Sequence, residues 1–68
     1  MRQSLRKQFG KFLRERRGDM TLRDFARKSG LSSSTLQRLE QGDQNVTLDT
    51  LETVLGKLKV TIFEVFGK

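Results

Sequence analysis

Four times along this chain a Ser or Thr stands directly before a stretch whose apolar residues recur at helical spacing: Thr21, Ser32, Thr47 and Thr61. A hydroxyl in that place accepts a backbone N–H from the first turn of the helix it begins. Thr21 is followed three residues later by Asp24, a relative of the capping box, and Thr61 by Glu64, its full Thr-x-x-Glu form. Glycines stand where the periodicity stops, at Gly18, Gly30 and Gly42. Proline is absent, and the β-branched alternation that a half-buried strand would show is nearly absent. The chain is thereby held to short helices with tight connections, an all-α fold.

Five helices are predicted. Leu5, Phe9, Phe12 and Leu13 form one stripe on a helix from about Gln3 to Arg17. Gly10 lies inside it, where glycine costs roughly 1 kcal/mol relative to Ala. Leu22, Phe25 and Ala26 mark a short second helix, Leu22 to Ser29, and Leu36 and Leu39 are the buried pair of a third, Ser32 to Gln41. Leu48, Leu51, Val54, Leu55 and Leu58 belong to a fourth, and Ile62, Val65 and Phe66 point inward from a fifth. The connections have ordinary helix-to-helix lengths. Neither a linker nor a repeat interrupts the pattern, so residues 1–68 read as a single domain.

The 68 residues include neither Cys nor His. Disulfides, thiolate or imidazole metal sites, and Cys- or Ser–His nucleophiles are therefore excluded. No metal, cofactor or enzymatic activity is expected, and stability must come from packing, which at this size yields about 3–5 kcal/mol. No apolar run approaches the ~18 residues of a membrane span. The basic start lacks the apolar segment of a secretory signal, and a cytoplasmic location is expected.

The net charge is +6 and it is unevenly spread. Residues 1–28 hold 10 basic and 3 acidic side chains, a net of +7; residues 29–68 hold 4 and 5, a net of −1. Such a basic half suits a polyanionic partner. A basic amphipathic helix over Arg2–Arg17, with Phe9 and Phe12, would also suit a membrane surface, but the later helices then have no purpose.

The third helix differs from the others. At about 100° per residue, Ser33, Gln37, Gln41, Ser34 and Arg38 fall near 0°, 40°, 80°, 100° and 140°. Leu39 and Leu36 lie near 240° and 300°, with Glu40 near 340° at the margin. One side is narrow and apolar; the other is a continuous strip of hydroxyl, amide and guanidinium groups. These groups read base edges in a major groove: amides pair with adenine, Arg with guanine, Ser with several bases. The short second helix, the Gly30-Leu31 turn and this polar helix make a helix-turn-helix. Ala26 lets the helices approach, Gly30 permits the left-handed turn, and Leu31 fills the corner. The free N–H groups of both helix N-termini can hold phosphates.

From Thr21 through Gly42, then in Thr47-Leu48-Asp49-Thr50-Leu51 and from Leu58 to Phe66, the sequence resembles the phage Cro/repressor-type (Xre-like) helix-turn-helix family. The Glu40-Gln41-Gly42 ending of the third helix and the register of the last two helices strengthen the likeness. The resemblance implies a compact five-helix lambda-repressor-like domain with a central helix-turn-helix, its third helix in the major groove of double-stranded DNA. It implies base contacts from Ser33, Ser34, Gln37 and Arg38. Phosphate contacts fall near Leu22 and Arg23 and in the loop Gly42–Thr47, with Asn45 and Thr47. Arg14 and Glu40 would form an ion pair, given one inserted residue in Gly18-Asp19-Met20. Leu22 replaces the usual Gln, leaving its backbone N–H for a phosphate, and Lys59 stands where Gly often ends the fourth helix. The loop Asp43-Gln44-Asn45 lacks the usual basic residues. The first helix, with Arg23, Arg27 and Lys28, is expected to supply that charge.

The reading that follows is a sequence-specific transcriptional regulator, a repressor, acting as a homodimer on a palindromic operator. Its dimer surface is sought around Val60, Ile62, Phe63 and Phe66, with Ile62 and Phe66 assigned to the core and Phe63 to the interface. The alternative is an antitoxin or bridging module of the same fold whose main partner is another protein.

Overall fold

The computed structural model of the chain describes residues 4–42 and 45–67. These hold five helices and no strand: α1 (Leu5–Arg17), α2 (Leu22–Ser29), α3 (Ser33–Gln41), α4 (Leu48–Leu58) and α5 (Ile62–Phe66). The all-α expectation and the five helices are borne out. Gln3, the expected start of α1, lies outside the described residues.

Each helix begins on a hydroxyl. Thr21, Ser32 and Thr47 accept the N–H of Asp24, Thr35 and Thr50 at 3.1, 3.2 and 3.1 Å. Thr61 accepts the Glu64 N–H at 3.3 Å while the Glu64 carboxylate accepts the Thr61 N–H at 2.9 Å, a complete capping box. Ser4, which the pattern did not single out, caps α1 in the same way through the Lys7 N–H. Each such cap is worth about 0.5–2 kcal/mol, a sizeable share of the stability of a chain this short.

The core is Phe9 and Leu13 of α1, Phe25 and Ala26 of α2, Leu36 and Leu39 of α3, Val54 and Leu58 of α4, and Val60. Helix α1 packs on α3 and α5, and α2 on α3 and α4. Gly10 explains how α1 and α3 come so close. A Cβ built there would collide with the Leu39 carbonyl oxygen and stand 3.0 Å from that of Glu40. The glycine that weakens α1 locally thus lets two helix backbones touch.

Three expectations about the core fail. Leu5, Leu48 and Ile62 belong to apolar stripes, yet they are 66%, 78% and 48% exposed. Each is the first residue of its helix. All three border one open groove with Phe9, Val46, Leu51 and Phe66, so their side chains face solvent instead of a neighbouring helix. Phe66 does pack inward, its ring 6.2 Å from that of Phe9, and Phe63 is 77% exposed as expected of it. Val60 is buried and drops out as a dimer contact.

The α4–α5 turn keeps a left-handed residue although no glycine is there: Lys59 has φ 58° and ψ 46°. That conformation costs an L-residue roughly 1–2 kcal/mol. Lys59→Gly is expected to stabilise the fold by about 0.5–1 kcal/mol after the larger chain entropy of glycine is counted. A thermal melt should show Tm rising by about 2–8 °C.

Candidate nucleic-acid interface

Helix α2 ends on Gly30 in the left-handed region, φ 80°. The Leu31 N–H returns to the Ala26 carbonyl at 2.9 Å, and Leu31 packs half-buried against the core. Ser32 then opens α3 at once. The turn is seated on α4, since a Cβ on Gly30 would lie 3.0 Å from Thr53 Cγ2 and 3.1 Å from Lys57 Cγ. The sequence-predicted structural residues Ala26, Gly30, Leu31, Leu36, Leu39 and Gly42 occupy the expected places in this unit.

The turn presents α3 with Leu36 and Leu39 buried and with Ser33, Ser34, Gln37, Arg38 and Gln41 exposed. The four residues expected to meet bases therefore share one solvent-facing side. Ser34 Oγ lies 3.5 Å from the Ser32 cap hydroxyl, which also donates to Thr35 Oγ1 at 2.9 Å.

The ion pair that anchors α3 is not the expected one. Arg17, not Arg14, holds the Glu40 carboxylate: Nε donates to Oε2 at 2.8 Å and Nη2 to Oε1 at 3.1 Å. The remaining Arg17 Nη1 donates to the Met20 carbonyl at 2.9 Å, tying down the α1–α2 connection. Arg14 Nη2 donates instead to the backbone carbonyl of Glu40 at 2.9 Å. The cause is reach and angle: three residues on, Arg17 lies about 60° further round α1 toward its buried side and meets the carboxylate with its planar fork. Glu40 is 8% exposed, so this pairing cancels a charge that would otherwise sit at the edge of the strip. Glu40 also holds the Arg17 guanidinium above its ordinary range, chiefly by hydrogen bonding, with partial desolvation opposing and charge attraction adding. A raised cationic pKa stabilises at every pH below the unfolded value, so this contribution is lost only in strong alkali. Arg17→Met is accordingly expected to lower Tm more than Arg14→Met, measured by thermal unfolding of the two variants at neutral pH.

The expected phosphate contacts divide. Leu22 is half-buried against the core, which leaves its first-turn N–H rather than its side chain for an anion. Arg23 and Arg27 are exposed and share a ridge of α2 at i, i+4 spacing. Lys28 lies about 100° away from Arg27 and instead shares a ridge with Asp24. Thr47 uses its hydroxyl to cap α4. Asn45 is exposed, and its Oδ1 accepts a hydrogen bond from Arg6 Nη1 at 2.9 Å. Asp43 and Gln44 lie outside the described residues.

Sequence reasoning named α1 only in general as a source of charge. Lys7, Lys11 and Arg14 stand on one edge of α1 and line a groove with Glu15, Glu40 and Gln41. Their i, i+4, i+7 spacing was the signal available for finding them.

A family model described as helix-turn-helix matches residues 11–65. No curated protein and no solved structure matches the chain. With fold, turn and exposed α3 strip in agreement, the architecture is that of a lambda-repressor-like helix-turn-helix domain. The chain belongs to the Cro/repressor-type (Xre-like) helix-turn-helix family. That is a family of DNA-binding regulatory domains rather than of enzymes. No helix among the described residues is long and apolar enough to cross a membrane.

Proposed function

We propose that this protein is a sequence-specific repressor that reads the major groove of double-stranded DNA with α3. The observation that carries the reading is the exposed strip Ser33, Ser34, Gln37, Arg38 and Gln41 on a helix whose other side is locked into the core. Ser33, Ser34, Gln37 and Arg38 contact bases. Arg23, Arg27 and Lys28, the backbone at Leu22, and the Asn45–Thr47 segment contact phosphates. A protein seated there excludes others from the same bases, and repression is the simplest consequence. The site of action is the cytoplasm, where chromosomal or phage DNA is met.

The working unit is a homodimer on a palindromic operator. Leu5, Leu48 and Ile62 border one apolar groove with Phe9, Val46, Leu51 and Phe66, and Phe63 is exposed on the same short α5. Large exposed apolar side chains gathered in this way favour a protein partner. The chain measures 33 × 23 × 22 Å across its Cα atoms. Two copies of this size are expected to occupy half-sites about one helical turn apart, ~34 Å.

The test is selection of binding sites from a random duplex library at fixed salt. A two-fold symmetric motif with that spacing is the expected result, together with loss of the symmetric spacing for a folded Phe63→Glu variant. Failure to enrich any motif, with binding that vanishes steeply as salt rises, would refute the sequence-reading role. The groove would then be assigned to a different protein, as in an antitoxin or bridging module.

A further inference from the structure

We infer that one edge of α1, formed by Lys7 and Lys11 with Arg6 and Arg14 beside them, is a second phosphate-binding surface. It takes over the role that the α3–α4 loop cannot fill. The inference rests on the DNA-binding reading above and adds a contact to it.

Three contacts fix this edge against the end of the α3 strip. Arg14 Nη2 donates to the Glu40 carbonyl, Arg6 Nη1 donates to Asn45 Oδ1, and Lys7 packs on Gly42. A Cβ on Gly42 would stand 3.1 Å from Lys7 Cγ and 3.5 Å from Lys7 Cα. The groove between this edge and α3 is lined by Lys7, Lys11, Arg14, Glu15, Glu40 and Gln41. Gln41 also belongs to the strip, so the cations border the base-reading face directly.

The charge balance in the groove favours an anion. Lys7, Lys11 and Arg14 oppose two carboxylates, but that of Glu40 is already neutralised by the two hydrogen bonds from Arg17. Glu15 is left as one negative charge against three positive ones. The three cations extend over about 10 Å of helix, roughly three base steps of duplex. Their position also explains a mismatch in the sequence. The loop after α3 contributes Asp43 and no Lys or Arg as far as Thr47. Arg6 and Lys7, placed against Asn45 and Gly42, bring positive charge to that same place from a different helix.

The test compares Lys7→Gln/Lys11→Gln with Arg16→Gln/Lys59→Gln, which removes the same charge away from the helix-turn-helix and the groove. Arg16 lies about 180° round α1 from Lys7, its guanidinium over the Phe12 ring. Gln removes the charge while keeping a polar, unbranched side chain and the helical preference, and circular dichroism verifies folding. Binding to a fluorescein-labelled duplex of mixed sequence is titrated across salt concentrations. For the Lys7/Lys11 variant the slope of log K against log salt should become shallower by about 1.8, two contacts at ~0.9 each. The Arg16/Lys59 variant should change it by less than about a third of that. Equal slopes for both variants, or an unchanged slope for Lys7/Lys11 while the parent binds steeply, would overturn this surface and leave the DNA reading intact. A parent that binds no duplex at all would overturn both.

Discussion

Gly10→Ala is expected to remove most of the stability of this protein. In an exposed helix interior the same change would stabilise by about 1 kcal/mol. Here the new methyl group would overlap the Leu39 carbonyl oxygen and crowd the Glu40 carbonyl, whose oxygen and carbon lie 3.0 and 3.2 Å away. Both obstacles are backbone, so neither can rotate aside. Helix α1 must separate from α3, and with it move Phe9 and Leu13, both fully buried. Overpacking a core costs about 1–3 kcal/mol and at times more. A fold of this size has only about 3–5 kcal/mol in hand. Thermal or urea unfolding should show a much lower midpoint, with the variant only marginally folded near 25 °C. A higher Tm, as helix propensity alone would give, would mean that the two helices are not in contact at this point. Because α3 is the helix displaced, duplex binding should fail even under conditions that restore helix content.

The fate of Gly10 shows which parts of the fold were legible. The starts of α2 to α5 were, because a cap is local chemistry: a hydroxyl meets an N–H three residues on, whatever the rest of the chain does. Gly30 and Gly42 were legible for the same reason, as left-handed residues at helix ends. Helix-to-helix registration was not. Gly10 reads as a weakness of α1 until α3 is laid across it. Leu5, Leu48 and Ile62 keep helical spacing with buried residues, yet the perimeter of the packed layer leaves them exposed. Spacing describes one helix, whereas exposure depends on where its neighbours end.

The Glu40 partner was misplaced for a related reason. The family pattern points to Arg14, and Arg14 does reach Glu40, but at its carbonyl. Arg17 is better aimed at the carboxylate, and its third bond, to the Met20 carbonyl, folds the Gly18-Asp19-Met20 connection onto the same guanidinium. The α3 strip, by contrast, follows from periodicity once Leu36 and Leu39 are buried. Its neighbour on α1 does not, because Lys7, Lys11 and Gln41 meet only through the packing that Gly10 permits.

Within the strip, Arg38→Ala is expected to change what the protein reads more than any other single replacement. Ser33 and Ser34 are short and pair with several bases, so they discriminate weakly. Gln37 presents an amide, and Arg38 is the charged member of the strip, exposed in the last turn of α3. A guanidinium that meets guanine O6 and N7 with two parallel bonds carries about 1–3 kcal/mol of discrimination against the wrong base, or roughly 5- to 150-fold in affinity. Site selection repeated with Arg38→Ala should therefore lose its preference at one position of each half-site while the flanking positions persist. The slope of affinity against salt should stay close to that of the parent. If Arg38 meets a phosphate instead, all sequences should weaken alike and the slope should fall by about 0.9, with the selected motif unchanged. The two results differ in both readouts, so one pair of measurements decides whether Arg38 reads sequence or only positions the helix.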